Sequence, residues 1–424
     1  MWIKSAAIFP LIFFGVAFAQ PDSQAGLGFE RVQPESVGVS SQRLTLLDDM
    51  LEQHVQDGRV AGLVAGMLHK GKLVYLESKG WQELEVTPMR PDSLFQIRSM
   101  SKPITAVAVL QLVERGLLKL DDPVADFIPS FADVRVFDDP VAQDFGATHD
   151  PSRAITIEDL LKNTAGLSHR FSALYRDQGV RSRGDTLAQL VDKVAGVPLI
   201  GDPGEQWVYS ISLTVLGRVV EVVSGQDFDD YLEQEVFKPL AMNDTSFFVP
   251  PEKQDQLALI YSVTDHGLEL LPDMSVPITQ EPPLKEGAAG IVSSVPDYLN
   301  FLQMLLDQGR VGGGSAMRVL QDDTVAEMTK NQVDERLMPF GTNPARPMLD
   351  RGWGYGLAVV VDAEKSEYAT HIGEFGWSGS LGTFAWADPV SDTALVLMLQ
   401  IQPAGAYSLS QKFKALAAQA ILEY

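Results

Sequence analysis

Residues 95–105 read FQIRSMSKPIT, and the interpretation of the whole chain starts from this stretch. An apolar run ends at Ser99, and Lys102 follows three residues later, a spacing that places two side chains on one face of a helix. Pro103 fits the first turn of that helix, where the backbone N–H groups have no intrahelical partner. Apolar residues then recur at helical spacing, at positions 107, 110, 113 and 117.

Ser99 and Lys102 have the chemistry of a nucleophile and its base. A serine hydroxyl is a weak nucleophile until a base removes its proton. A lysine amine that is withdrawn from water has a lowered pKa and can accept that proton. A helix that starts here would also stabilise negative charge beside Ser99 through its unpaired N–H groups and its dipole. The same pair also fits an ordinary exposed helix start, so the interpretation depends on the motifs that follow.

The first 19 residues have the pattern of a secretory signal peptide. Lys4 supplies a positive start, an apolar run covers residues 6–16, and AFA at residues 17–19 is a cleavage sequence before Gln20. We therefore expect an exported protein, periplasmic or secreted, with an uncleaved membrane anchor as the alternative. No later stretch is apolar and long enough to cross a bilayer, so no stable membrane insertion is expected after cleavage.

The composition excludes several chemistries and partners. Cysteine is absent, which excludes disulfides, thiol catalysis and cysteine–metal sites. The formal net charge of −23 disfavours binding to nucleic acids and to anionic membranes. The six histidines lack the spacing of a metal site, and neither a phosphate-binding loop nor a dinucleotide fingerprint occurs. The sequence thus predicts no cofactor and no metal.

The N-terminal part of the chain alternates between helical and strand patterns. Residues 20–39 are rich in glycine, proline and serine and are interpreted as a linker. An apolar stripe predicts a helix over residues 41–57, and a β-hairpin with its turn at residues 70–72 follows. From residue 105 to about residue 240 the chain is predicted to be mostly helical, with residues 168–186 forming a polar loop.

The C-terminal part returns to strands. They are predicted at residues 357–361, 383–386 and 394–401, before a last helix over residues 413–422. The pattern indicates an α/β (α+β) fold closed by both chain ends, with an all-helical region between them. We assign residues 40–104 and 286–424 to the α/β domain and residues 105–285 to a mainly helical domain.

Five further segments carry ordered motifs. They read GLLKLDDP at 116–123, LLKNTAGL at 160–167, PGEQWVYS at 203–210, GAAGIVSSVPDY at 287–298 and GWSGSLG at 376–382. With FQIRSMSKP they resemble the serine β-lactamase and penicillin-binding-protein superfamily, more narrowly class C β-lactamases and family VIII carboxylesterases. The resemblance covers about residues 40–423 and implies an antiparallel sheet flanked by helices.

The resemblance implies roles for individual residues. Ser99 would be the acylated nucleophile, Lys102 its proton acceptor, and Tyr209 a general base shared with Lys102. A tyrosine with an ordinary pKa near ~10 needs a neighbouring positive charge for this role, and Lys102 would supply it. The backbone N–H groups of Ser99 and Ser380 would form the oxyanion hole.

Two positions depart from the β-lactamase pattern. Ile211 stands where the Y-x-N motif has its asparagine, and Trp377 stands where the K-T-G motif has its lysine. A lysine there would bind the carboxylate of a β-lactam, whereas tryptophan offers an apolar wall and one N–H donor. Trp377 and Gly379, the W-x-G form of family VIII esterases, are therefore the expected substrate-binding residues. A second register would place residues 371–373 at this motif.

We expect a serine hydrolase that cleaves a small-molecule carboxylic ester through an acyl-Ser99 intermediate, with weak or no β-lactam turnover. A β-lactamase, a D-amino-acid peptidase and an acyltransferase are alternatives within the family, and an inactive binding or scaffold protein is the non-enzymatic alternative. No G-x-S-x-G nucleophile elbow occurs. A Ser-His-Asp triad stays open, with His169 and His371 as candidates, because the order of triad residues differs between folds.

Overall fold

The computed structural model describes residues 28–182, 184–272, 276–312, 316–342, 347–366 and 368–422. The predicted signal peptide and residues 20–27 of the predicted linker lie outside these residues, so signal cleavage and export stay predictions. The described end of that linker is hydrogen-bonded to a neighbouring strand: Val32 N donates to Leu73 O at 3.1 Å, and Leu73 N donates to Glu30 O at 3.0 Å.

Strands in the described residues are mostly short and are numbered here in chain order. They are β1 (Gly62–His69), β2 (Lys72–Glu83), β3 (Thr87–Pro88), β4 (Phe95–Gln96), β5 (Val136–Phe137), β6 (Thr148–His149), β7 (Tyr261–Thr264), β8 (Gly267–Leu270), β9 (Val292–Ser293), β10 (Arg351–Trp353), β11 (Ala358–Val360), β12 (Phe375–Ser378), β13 (Phe384–Asp388), β14 (Thr393–Leu399) and β15 (Ile401–Gln402). Eight of them form one antiparallel sheet in the order β10-β11-β12-β13-β14-β1-β2-β3.

Along the chain, most α-helices of the described residues lie between β3 and β10. They are α1 (Ser41–Gln56), α2 (Ser101–Glu114), α3 (Ile157–Lys162), α4 (Ala173–Asp177), α5 (Leu187–Ala195), α6 (Ser212–Ser224), α7 (Phe228–Leu232), α8 (Val295–Leu306), α9 (Asp322–Met328) and α10 (Leu409–Ala420). None of the helices in this described part of the chain has the length and apolar character that crossing a bilayer requires.

Both faces of the large sheet are buried, as the alternation along β1 shows. Val64 and Leu68 point into one hydrophobic cluster, which includes α8 and the helical region. Leu63, Ala65 and Met67 point into a second cluster, which includes α1 and α10. Successive side chains of a strand point to opposite faces, so a continuous apolar run marks a strand that is covered on both sides.

A glycine in β1 lets α8 approach the sheet closely. A Cβ atom at Gly66 would lie 2.8 Å from side-chain carbons of both Val295 and Leu299 on that helix. Real side-chain contacts are longer than this, so any larger residue would push α8 away from the sheet. The helix that follows the GAAG segment is thereby held against the sheet.

The predicted fold class is confirmed, and so are several of its elements. The first helix and the hairpin lie where the sequence predicts, and Lys70 and Gly71 in the hairpin turn both have positive φ, at 51° and 69°. The last helix begins at Leu409, four residues earlier than predicted. The loop predicted at residues 168–186 contains α4, and the helical region also carries short strand pairs. The predicted domain boundaries stay predictions.

Asp297, in the first turn of α8, is a buried carboxyl group that should make stability depend on pH. Its Oδ2 accepts hydrogen bonds from Thr245 Oγ1 at 2.8 Å and from Asp244 N at 2.7 Å. Burial raises the pKa of Asp297 to about 7, with the charge of Asp244 adding to the effect and the hydrogen bond from Thr245 opposing it. Between the ordinary aspartate pKa near ~4 and this value, the folded protein binds more protons than the unfolded chain, so stability falls as pH rises.

We therefore expect Asp297→Asn to reduce the loss of stability between pH 5 and pH 8. An amide cannot ionise, and its oxygen can accept both hydrogen bonds. Thermal unfolding at both pH values measures the effect, and Asp121→Asn, at an exposed position, is the matched control. An unchanged difference in melting temperature between the two pH values would contradict this account.

Candidate active site

Ser99 lies in a tight turn that joins a strand to α2. The turn is a 3₁₀ helix, Arg98–Met100, directly before α2, so Ser99 precedes the α-helix that it was predicted to open. Arg98 has a φ of +50°, an unfavourable conformation for a residue with a side chain. Ser101 Oγ fixes this geometry because it donates to Arg98 O at 2.7 Å and accepts from Ile291 N at 3.2 Å. The backbone around Ser99 is thus held from both sides.

Lys102 is a buried amine within reach of Ser99. Its Nζ lies 3.4 Å from Ser99 Oγ and donates to Ala288 O at 2.9 Å, and the residue is only 2% exposed. Burial lowers the pKa of Lys102 well below its ordinary value; the charge of Arg170 lowers it further, and that of Glu286 opposes the shift. The predicted proton acceptor is therefore placed beside the predicted nucleophile, in surroundings that favour its neutral form.

Tyr209 reaches the same point from the loop before α6. Its hydroxyl hydrogen-bonds with Ser99 and accepts from Trp377 Nε1 at 2.8 Å, and Lys102 Nζ lies 4.5 Å from the centre of its ring. The sequence analysis expected the charge of Lys102 to make Tyr209 more acidic, but the net shift of the Tyr209 pKa is upward. Burial raises the pKa of Tyr209 to about 12, although the two hydrogen bonds and the charge of Arg170 lower it in part. Tyr209 is thus a neutral phenol near pH 7 that can relay a proton.

The third motif begins on β12 and continues into the loop that follows this strand. Trp377 is 7% exposed, and its single N–H is used by Tyr209, so the indole also positions the phenol. A Cβ atom at Gly379 would lie 2.4 Å from Ile97 O and 2.2 Å from Thr383 Oγ1. Glycine therefore lets this segment lie against the residue two positions before Ser99.

The N–H of Ser380, one of the two predicted oxyanion-hole donors, is available to a substrate oxygen. Within the described residues, no protein group accepts a hydrogen bond from the N–H of Ser380. Ser380 directly follows the close-packed Gly379, and β12 contacts the turn that carries Ser99. The roles of Ser99 and Ser380 in an oxyanion hole stay predictions.

A buried ion cluster beside the site was missed by the sequence analysis. Arg170 Nη1 donates to Glu286 Oε2 at 3.2 Å, and Arg181 donates to both carboxylate oxygens of Glu286 at 2.9 and 2.8 Å. Burial opposes ionisation of Glu286, yet the charges of the two arginines lower its pKa to about 2. Glu286 immediately precedes the turn whose Ala288 carbonyl holds Lys102. No spacing in the sequence connects these three residues.

The two histidines proposed for a triad lie in different surroundings. His169 stacks on Tyr209 with ring centres 5.9 Å apart, but no hydrogen bond joins it to Ser99 in the described part of the chain. His371 Nδ1 lies 2.7 Å from Asp388 Oδ2, and the donor atoms of His371, Glu374 and Asp388 lie within 4.8 Å of one another. This second group lines a cavity of about 170 Å³ whose wall contains neither Ser99 nor Tyr209.

The two registers considered for the third motif place different residues beside Tyr209. Residues 371–373 precede β12, whereas Trp377 lies on β12 and contacts Tyr209. Ile211, which replaces the asparagine of Y-x-N, is fully buried at the start of α6 and adds no polar group. The arrangement around Ser99 therefore contains Lys102, Tyr209 and an indole, and no cation at the third motif.

Comparison with known proteins identifies the family. Residues 47–419 match the family described as Beta-lactamase. The chain belongs to the beta-lactamase family. Protein Rv1367c of Mycobacterium tuberculosis is 32% identical to it over 353 residues, which are 82% of this chain and 87% of that protein. Esterase EstB of Burkholderia gladioli is 28% identical over 380 residues, which are 83% of this chain and 89% of that protein.

A solved structure shows the same fold. EstCE1, described as a hydrolase with promiscuous acyltransferase activity, has a TM-score of 0.76 at 24% identity and covers 90% of this chain and 99% of its own. The predicted resemblance to the beta-lactamase and penicillin-binding-protein group is thus confirmed. As a member of the beta-lactamase family, the chain belongs to a group of serine hydrolases that includes esterases.

Removal of the Tyr209 hydroxyl tests its place beside Ser99. We expect Tyr209→Phe to lower kcat/KM for p-nitrophenyl butyrate by roughly 10²-fold, the lower range for loss of a positioned proton donor or acceptor. Steady-state kinetics measures the change. Tyr75→Phe is the matched control because it also deletes one hydrogen-bonded hydroxyl, at 2.9 Å from Asp48 Oδ1, outside this cluster. Equal activity of both variants would exclude Tyr209 from the proton path.

Proposed function

We propose that this protein is a serine carboxylesterase that hydrolyses neutral small-molecule esters through an acyl-Ser99 intermediate. The observation that carries the proposal is the buried Lys102 amine, 3.4 Å from Ser99 Oγ, with a pKa lowered by burial. A neutral amine has a lone pair for the serine proton, which a protonated lysine lacks. Family membership and the esterase activity named for EstB support the proposal.

The first half of the reaction forms the acyl-enzyme. Lys102 Nζ accepts the proton of Ser99 Oγ, directly or through Tyr209, while Oγ forms a bond to the ester carbonyl carbon. The negative charge on the carbonyl oxygen is stabilised by the N–H groups of Ser99 and Ser380. The bond from the carbonyl carbon to the alcohol oxygen then breaks, and the proton passes through Tyr209 to that oxygen. Alcohol is released, and Lys102 is again neutral.

The second half repeats these steps with water. Water loses a proton to Lys102, either directly or through Tyr209, which passes its own proton on to the amine. The water oxygen attacks the acyl carbon, and collapse of the intermediate returns the proton from Lys102 to Ser99 Oγ. The acid leaves, so one water is consumed for each ester cleaved. An alcohol in place of water would give acyl transfer by the same path, the activity named for EstCE1.

The residues around Ser99 favour a neutral ester over a β-lactam. Trp377 occupies the position of the carboxylate-binding lysine, and its N–H donates to Tyr209. Arg170, a buried cation whose charge lowers the pKa of Lys102, is paired with Glu286. A substrate carboxylate would therefore meet no free cation at the third motif. Cleavage of a chromogenic cephalosporin as fast as that of p-nitrophenyl butyrate would overturn this choice.

Covalent labelling tests the proposed nucleophile. A fluorophosphonate should react once per chain, and peptide mapping by mass spectrometry should place the adduct on Ser99. Preincubation with p-nitrophenyl butyrate should slow the labelling because both compounds compete for the same hydroxyl. Folded protein that stays unlabelled, or an adduct on another serine, would reject the mechanism.

A further inference from the structure

His169 is the partly exposed member of the set of aromatic rings packed around Tyr209 in the described residues. Four aromatic rings have centres within about 6 Å of it in the described residues, namely Trp207 at 6.1 Å, Trp353 at 6.1 Å, Trp377 at 5.5 Å and His169 at 5.9 Å. The three tryptophans are buried, whereas His169 is partly exposed. A molecule that reaches Tyr209 from solvent past these rings therefore meets His169.

Phe171 extends this path outward and is held in place. It is 58% exposed, its ring centre lies 5.9 Å from that of His169, and its N–H donates to His169 Nδ1 at 3.2 Å. The guanidinium of Arg170 lies 4.2 Å from the centre of the Phe171 ring, and that of Arg181 lies 5.9 Å away. Both arginines are paired with Glu286, so the exposed ring rests on a fixed base. A single exposed apolar residue is common on a protein surface, but Phe171 is also fixed against the ring that stacks on Tyr209.

The position of the group that protonates the departing alcohol determines where the alcohol half of the ester lies. The group that returns a proton to the departing alcohol must lie within hydrogen-bond reach of the alcohol oxygen. In the mechanism proposed above that group is Tyr209, so we place the alcohol portion along the side of its ring on which the partly exposed His169 stacks. We propose that His169 and Phe171 form the binding surface for the alcohol portion, and that this surface selects esters of flat, apolar alcohols such as aryl alcohols.

The state of His169 agrees with this use. Its Nδ1 accepts the Phe171 N–H, so in the neutral ring the proton is on Nε2. Burial lowers the pKa of His169 to about 4, together with the charges of Lys102 and Arg170. The imidazole is thus uncharged at neutral pH, and stacking on a neutral aryl ring does not require desolvation of a charge.

A set of three esters tests the inference, which rests on the proposed function. 2-Naphthyl acetate and ethyl acetate form the same acetyl-enzyme, so kcat/KM compares the two alcohols at the acylation step alone. Ethyl 2-naphthoate carries the same aryl group on the acyl side. We expect Phe171→Ala to lower kcat/KM for 2-naphthyl acetate about tenfold, the size of a lost aromatic contact, with less than about twofold change for the other two esters.

Phe145→Ala is the control, since Phe145 is 44% exposed and packs on Phe137 instead. It should leave all three values unchanged. Equal loss for 2-naphthyl acetate and ethyl acetate in Phe171→Ala, or a selective loss for ethyl 2-naphthoate, would overturn the assignment. If the unmodified protein cleaves none of the three esters and is not labelled at Ser99, the esterase proposal itself fails, which is a different result.

Discussion

Replacement of Ser99 by alanine is expected to lower kcat/KM for p-nitrophenyl butyrate by at least ~10⁴-fold, because it removes the oxygen that is proposed to form the acyl intermediate. The residual rate should resemble catalysis by binding and polarisation alone. The substitution removes one oxygen from a partly exposed side chain, so the melting temperature should change little. Steady-state kinetics and loss of fluorophosphonate labelling both measure the effect.

Ser378→Ala is the matched control for this variant. Ser378 is exposed at the end of β12, a strand that contacts the turn carrying Ser99, and has no assigned role. Its activity and labelling should stay within about twofold of the unmodified protein, as for most exposed substitutions. Ester turnover by Ser99→Ala within tenfold of the unmodified protein would show that another residue is the nucleophile.

Lys102→Met is expected to lower kcat/KM by roughly 10³–10⁴-fold, the upper range for loss of a general base. Lys102→Arg should be impaired equally, because a guanidinium keeps its positive charge but cannot give up a proton at ordinary pH. In the unmodified protein kcat/KM should rise with pH as the Lys102 ammonium loses its proton, and burial moves this rise below the ordinary lysine range. Kinetics across pH 5 to 10 measures both effects, and exposed Lys72→Met is the control.

Lys102→Met should preserve or raise the stability of the fold, although it lowers the activity. The pKa of Lys102 is lowered in the folded protein, so between that value and the ordinary lysine pKa the unfolded chain binds more protons. Stability attributable to Lys102 therefore rises with pH through this interval and is lowest at its acidic end. Lys102→Met removes this contribution, and we expect its melting temperature at pH 7 to equal or exceed that of the unmodified protein. A clear loss of stability would indicate that the bond from Nζ to Ala288 O outweighs the cost of burial.

The two lysine outcomes separate function from folding. A variant that unfolds more readily and also loses activity could have lost its site through structure alone. A variant that melts at the same or a higher temperature and has lost activity shows that the buried amine is kept for chemistry. Active-site groups often destabilise the fold that holds them.

Sequence pattern was sufficient for the local and repetitive features of this protein. The three-residue spacing of Ser99 and Lys102, the apolar runs of the central strands and the hairpin turn depend on neighbours along the chain, and the structure has each of them. The ordered motifs indicated the family, and residues 47–419 match it. Helix and strand periods are properties of consecutive residues, which explains why they can be read before any fold is known.

Only the tertiary structure decided how the separated parts act on one another. It joins Trp377 to Tyr209, pairs Arg170 and Arg181 with Glu286, and makes Tyr209 less acidic where the sequence analysis expected the reverse. Hydrogen bonds and ion pairs require groups to approach within a few ångströms, and the pKa of a buried group depends on how much water has been removed around it. Spacing along the chain contains neither quantity, because both arise when distant segments pack together.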